Sequence, residues 1–262
     1  MTELSRILAF ASGIFGLFAV PASAADVPVK APATPAVIVM NWSGGYLGLH
    51  GGWMWARHSA TFPGGIPAAQ IVGVPGQGFE TDESAGIAGA HFGYQHQFGN
   101  LVIGAELGIT GLIGSHTTRT LCPKQTIALF GCSSHFGDVI FTAGGRAGWS
   151  MGNWLPYVAG GYAATRFFAD AINVSLAPVG ARIVWWDDRT DGWYIGGGFD
   201  WAFAQGVSLG FEYRHYDFSK GTTARAIIGG LPGFLVNDSA NFKTTADSLA
   251  VRLTYRFGAG PI

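Results

Sequence analysis

The sequence predicts an all-β protein, an eight-stranded antiparallel transmembrane up-and-down β-barrel. Three observations predict it. The chain of 262 residues is 48% hydrophobic but only 12% charged, about half the charge of an ordinary soluble domain. Beyond the N-terminus its apolar residues come in short segments broken by Gly, Asn, Asp or Pro, and none approaches the roughly 18-residue run that a membrane helix needs. Eight of these segments alternate with period two. One face is continuously aliphatic and aromatic, and the charges sit among glycines on the other. A soluble sandwich would turn its polar face outward, so the inverted pattern predicts lipid outside and a polar lumen inside.

Residues 1–24 are expected to be a signal peptide. Ile7 to Val20 is apolar apart from Ser12, Gly13 and Gly16, and Pro21-Ala22-Ser23-Ala24 follows. Small residues at Ala22 and Ala24 form an A-x-A site, with cleavage expected between Ala24 and Ala25. An uncleaved anchor helix is the alternative, for which the stretch is short. Residues 25–41, with Pro28, Pro32 and Pro35, are expected to be an extended periplasmic linker. The barrel is assigned to residues 42–257, and 258–262 to a C-terminal extension.

The strands follow in order. The first spans about Tyr46 to Trp55. The second spans about Gly86 to Gln97, with His91, Gln95 and Gln97 on its polar face. In the third, Leu101, Ile103, Ala105, Leu107 and Ile109 oppose Gly104, Glu106, Gly108 and Thr110. The fourth sets Val139, Phe141, Ala143, Ala147 and Trp149 against Thr142, Gly144, Arg146 and Ser150. The fifth, Leu155 to Phe168, alternates least clearly. In the sixth, Trp193, Ile195, Phe199, Trp201 and Phe203 oppose Gly196, Gly198 and Asp200. The seventh sets Val207, Leu209, Phe211 and Tyr213 against Ser208, Gly210, Glu212 and Arg214. The eighth sets Leu249, Val251, Leu253, Tyr255 and Phe257 against Ala250, Arg252, Thr254 and Arg256.

Three connections are very short, at 98–100, 151–153 and 204–206. Four are long, at about 57–83, 113–137, 169–190 and 219–244. They alternate, so all long loops fall at one end, expected to be extracellular, and both termini are expected to be periplasmic. Trp42, Trp53, Trp55, Trp149, Trp154, Trp193 and Trp201 lie near strand ends and are expected in two interfacial girdles.

Several motifs in order carry a family resemblance. They are Ala24-Ala25-Asp26-Val27-Pro28, Asn41-Trp42-Ser43-Gly44-Gly45-Tyr46, Gly145-Arg146-Ala147-Gly148-Trp149 and Leu155-Pro156-Tyr157-Val158-Ala159-Gly160-Gly161. Gly192-Trp193-Tyr194-Ile195-Gly196, Glu212-Tyr213-Arg214 and Leu253-Thr254-Tyr255-Arg256-Phe257 follow them. With these, nearly the whole chain resembles the small outer-membrane proteins of alphaproteobacteria known as outer membrane immunogenic proteins, with an OmpA-type barrel. The resemblance implies an abundant surface protein linked to envelope integrity and host contact, and haem binding in some relatives. Such barrels usually end on the aromatic residue that the barrel-assembly machinery reads. Here Gly258 to Ile262 follow Phe257, the expected assembly signal.

The inward face carries Glu106, Arg146, Asp200, Glu212, Arg214, Arg252 and Arg256. An eight-stranded barrel is narrow enough for side chains to fill, so these charges are expected to form a salt-bridged plug. The alternative is a charged constriction in a narrow pore. Cys122 and Cys132 face an oxidising compartment and are expected to form a loop disulfide rather than a metal or redox pair. His58, His116 and His135 fall in expected surface loops, where solvated side chains are the simpler reading and haem or metal ligation the sharper one. For a hydrolase, the options are His58 beside Ser59, or His215 with Asp217 and Ser219.

The sequence thus predicts a non-enzymatic structural barrel in the bacterial outer membrane, with no catalytic residue, metal or cofactor. Its expected partners are outer-membrane lipid and lipopolysaccharide, the barrel-assembly machinery, and host surface molecules at the long loops. A narrow porin or a surface haem-binding protein is the alternative. Net charge is −1 and no basic run occurs, so nucleic acid is not an expected partner.

Overall fold

A computed structural model describes residues 40–62, 76–123, 130–173, 182–218, 226–227, 235–236 and 241–257. Residues 1–24, most of 25–41 and the extension 258–262 lie outside the described residues, as do Ala24 and Ala25.

Eight long strands form the molecule: β1 (Gly44–Thr61), β2 (Gly78–Phe98), β3 (Leu101–Thr117), β4 (Phe130–Trp149), β5 (Trp154–Asn173), β6 (Arg182–Ala204), β7 (Val207–Phe218) and β8 (Asn241–Arg256). Each pairs antiparallel with its sequence neighbours, β3 pairs with β4, and β8 pairs with β1. The sheet is therefore a closed barrel without a free edge along these strands. Thr120–Leu121 adds a short ladder against Gly131–Cys132, and Ala226–Ile227 pairs with Leu235–Val236.

The stagger follows from the register. Paired residues lead once round the wall from Tyr46 through Gly93, Glu106, Gly144, Gly161, Tyr194, Tyr216 and Ala246, and return to β1 at Ala56, ten residues on. Ten residues at ~3.3 Å against eight strands at ~4.8 Å tilt the strands by roughly 40°. The two-residue turns carry a glycine with positive φ, Gly99 (61°), Gly152 (66°) and Gly206 (73°), a conformation that costs glycine little.

Period-two alternation sorts the side chains cleanly. Leu47, Leu49, Phe92, Leu107, Ile109, Val158, Ile195, Val251 and Leu253 face out and are 43–64% exposed. One aromatic ring borders this band near the short turns, with Phe98, Trp149, Trp154, Trp201, Phe203, Tyr255 and Phe257. A second lies toward the long connections, with Trp53, Trp55, Phe141, Tyr162 and Trp193. Outward-facing charges such as Arg57, Asp82, Arg166, Arg189 and Lys243 appear beyond the second ring.

Two expectations are corrected here. The strands run past the limits read from the sequence: Arg57, His58 and Ser59 belong to β1, Glu80–Glu83 to β2, His116 to β3 and His135 to β4. Above the apolar band the outward face meets water, so apolar alternation ends while backbone pairing continues. Trp42 is not a girdle residue. It is wholly buried in a cluster with Met40, Val102, Leu155 and Ala202 at the short-turn end of the lumen. Its indole donates to the Gly152 carbonyl (3.0 Å), and its backbone is held by Gln95 and Gln97.

Candidate functional site

The lumen is stratified, and its charges occupy the middle layer. β3 supplies Glu106, β4 Arg146, β6 Asp200, β7 Glu212 and Arg214, and β8 Arg252. All six side chains are buried. Their alternate positions in the strands aim them inward, and glycines opposite leave the room. A Cβ on Gly93 would fall 2.6 Å from the Tyr46 ring, and one on Gly210 would fall 2.2 Å from an Asp200 oxygen.

Glu106 sits at the centre. Arg252 reaches it at 2.5 Å, Arg214 at 2.7 Å and Arg146 at 3.6 Å, and the Tyr46 hydroxyl donates to it at 3.0 Å. Arg252 bridges onward to Glu212 (2.5 Å), which also pairs with Arg214 and accepts from the Tyr157 hydroxyl (2.8 Å). Arg146 binds Asp200 at 2.7 Å, and its guanidinium lies 3.8 Å from the Tyr157 ring centre. Charges this deep cost several kcal/mol each unless paired and hydrogen-bonded, and this layer supplies both. Sequence alternation missed the tyrosines Tyr46 and Tyr157, whose parity could have found them.

Arg256, expected in the same network, stands apart from it. It is 1% exposed, and no carboxylate lies in ion-pair contact with it among the described residues. Its guanidinium lies 4.7 Å from the centre of a Trp42 ring, so the lower layer sets a cation on an aromatic face.

Above the charges the lumen holds an apolar and aromatic cluster, with Met54, Ile87, Phe136, Ile140, Tyr194, Tyr216 and Phe218 packed together, beside buried polar groups such as His58, Glu83 and Thr244. His58, expected in a surface loop, is wholly buried within this upper barrel. Its Nε2 lies 2.9 Å from Glu83 and its Nδ1 2.9 Å from Thr244 Oγ1. Glu83 also accepts from the Phe136 backbone N–H at 2.8 Å and from Ser115, serving an amide beside the bulge where β4 loses register with β5.

The three histidines weighed as ligands are not brought together. His58 faces inward with both nitrogens engaged, His116 is exposed, and His135 stacks on Phe168. No three His, Cys, Asp or Glu side chains among the described residues are placed to hold a metal ion. His215 pairs with Asp247 of β8 (2.8 Å) rather than with Asp217, and Tyr213 donates to the same carboxylate (2.5 Å). Ser219 lies outside the described residues. Cys122 and Cys132 are joined as a disulfide, with their Cα atoms 5.2 Å apart. The Phe257 side chain faces out at the end of β8, 55% exposed, and its backbone N–H donates to Gly45.

Comparison with known proteins agrees with this architecture. The chain is 28% identical over 253 residues to the 31 kDa outer-membrane immunogenic proteins of Brucella melitensis biotype 1 and Brucella suis biovar 1, covering 94% of this chain and 98% of each relative. Among solved structures, the outer membrane protease OmpT from Escherichia coli aligns with a TM-score of 0.52 at 7% identity, over 83% of this chain and 98% of that one. That likeness concerns the fold alone. Neisserial surface protein A aligns over 82% of this chain and 98% of its own at 14% identity, with a TM-score of 0.37. The profile of the outer membrane protein β-barrel domain matches residues 12–257, and the chain belongs to that outer-membrane family.

Proposed function

We propose that this protein is a non-enzymatic, closed structural barrel. In this reading it braces the outer membrane and presents its long connections at the cell surface, where they meet host molecules or neighbouring envelope components. Both termini then face the periplasm, as is usual when short turns lie at one end and long connections at the other. The observation that carries the reading is the ion-pair layer at mid-height. Its arginines and carboxylates touch at 2.5–3.6 Å across the barrel axis, which favours a seal over a water-filled constriction.

Single-channel recording of the refolded barrel in planar bilayers tests it. Current at baseline is expected, and stable conductance steps would establish the narrow-porin alternative instead. Orientation is tested separately. A cysteine placed between 219 and 240 in a Cys122→Ser/Cys132→Ser background should react on intact cells with a membrane-impermeant maleimide. Reaction only after the outer membrane is permeabilised would reverse the assignment.

A further inference from the structure

We propose that the lower lumen binds one small monovalent anion, a halide such as chloride, on the guanidinium of Arg256. The inference goes beyond the closed-barrel reading, because it concerns what the lumen holds rather than whether it conducts, and it is independent of which end faces the cell surface.

Charge balance points to an anion. Among the described inward residues of the middle and lower layers, four guanidiniums, Arg146, Arg214, Arg252 and Arg256, face three carboxylates, Glu106, Asp200 and Glu212. Those carboxylates are already engaged. Asp200 pairs with Arg146, and Glu106 and Glu212 pair with Arg252 and Arg214. His50 and His91 lie beside each other in the same part of the lumen, and an imidazole can add positive charge there but not negative. One positive charge is therefore uncompensated, and it falls on Arg256.

Hydrogen bonding singles out the same residue. Arg256 is 1% exposed, and none of its Nε, Nη1 and Nη2 atoms is hydrogen-bonded to a protein group. The Trp42 and Tyr46 rings lie near its guanidinium. A ring face attracts the charge but gives no lone pair to the five N–H donors. Ser208 of β7 adds a hydroxyl that is also buried and without a hydrogen-bond partner. It pairs with Thr254, the inward residue next to Arg256 on β8, so the two unbonded donors lie on adjacent strands toward the short-turn end. A buried charge is costly without a counter-charge, and an anion in contact would accept charge-assisted hydrogen bonds from both groups. One excess positive charge calls for a monovalent ion. Met40 and Trp42, packed together at the short-turn mouth, favour a small one.

The test uses the full chain refolded into phosphatidylcholine vesicles and titrated with urea over a range of chloride concentrations, with gluconate holding the ionic strength constant. For one site on the folded state, the folding equilibrium constant should rise about tenfold per tenfold rise in chloride, well above the dissociation constant. Arg256→Leu should show no such rise, and Ser208→Ala should show it only at higher chloride. Arg57→Gln, which removes an exposed guanidinium from the outer face, should respond as wild type does. With gluconate alone the site stays unfilled, and the barrels then compare on protein contacts only. Wild-type crystals grown in bromide should show an anomalous peak against the Arg256 guanidinium, a reading that holds even where Arg256→Leu fails to refold. A wild-type barrel indifferent to chloride would overturn the proposal, as would an equal response in Arg256→Leu or no bromide at Arg256. The guanidinium would then be served by water alone.

Discussion

Arg252 and Arg256 lie four residues apart on one face of β8, and both are almost fully buried, yet their surroundings differ. Arg252 lies within 2.5 Å of both Glu106 and Glu212, whereas Arg256 has no carboxylate in ion-pair contact among the described residues and lies over aromatic faces, Trp42 at 4.7 Å and Tyr46 at 5.9 Å. Removing Arg252 leaves two buried carboxylates short of a partner, so Arg252→Leu should lower stability by about 3–5 kcal/mol. Removing Arg256 also removes an unpaired buried charge and loses one cation–ring contact, so Arg256→Leu should cost about 1 kcal/mol or less. Urea titration of the barrel in lipid vesicles measures both, and equal losses would refute the distinction. The sequence revealed that these residues share the inward face, because parity alone decides that. It could not reveal their partners. Arg252 meets Glu106 across 146 positions, and only the stagger at which the barrel closes sets that meeting. Trp42 differs from its expected girdle position for a related reason: a tryptophan beside a strand end suits either a girdle or the mouth of the lumen, and local sequence does not choose.

At the scale of elements, strand identity was legible but strand extent was not. Alternation marks a strand only where lipid demands an apolar outer face. Past Trp55 the outer face of β1 continues with Arg57, Ser59 and Thr61 while pairing with β2 runs on to Gly78. Histidines assigned to loops therefore became strand residues, and His58 moved from solvent to the interior. Two predictions belong here. The Cys122–Cys132 bond closes a separation of 10 residues beside the β3–β4 connection. Alkylation of the denatured, unreduced protein should leave its mass unchanged, and Cys122→Ser/Cys132→Ser should cost about 2–3 kcal/mol in the chain-entropy picture. Two added alkyl groups without reductant would disprove the bond. Phe257 ends β8 with its ring exposed on the lipid side and packed 5.2 Å from Tyr255. If it is the strand signal for assembly despite the five residues after it, Phe257→Ala should lower the amount of barrel in the outer membrane and raise the periplasmic precursor. Its urea midpoint after refolding should stay within about 1 kcal/mol of wild type, because an exposed contact contributes little to folding. Normal membrane levels would place the signal elsewhere in β8.

For the whole molecule, the barrel and its outer band were readable because lipid imposes one repeated rule on every strand. The lumen follows no such rule. The alternation predicts a polar lumen closed by a salt-bridged plug, and the structure adds unlike layers to it: an apolar cluster around Trp42 at the short-turn end, the ion pairs in the middle, and the Met54, Phe136, Tyr216 and Phe218 cluster above. Each layer fills the bore by different means, so they act as seals in series. Ion flow needs a continuous wetted path, and opening one layer leaves two closed. Trp42→Ala alone should therefore stay silent in planar bilayers, and so should Glu106→Ser/Arg252→Ser, which thins the middle while keeping its charge balanced. The two changes together should still be silent, because the upper aromatic layer remains dry. Adding Phe136→Ser and Phe218→Ser should be required before steady current appears. Conductance in the Trp42→Ala barrel would show that a single residue at the lower mouth holds back a lumen already open above it, and the layered seal would be wrong.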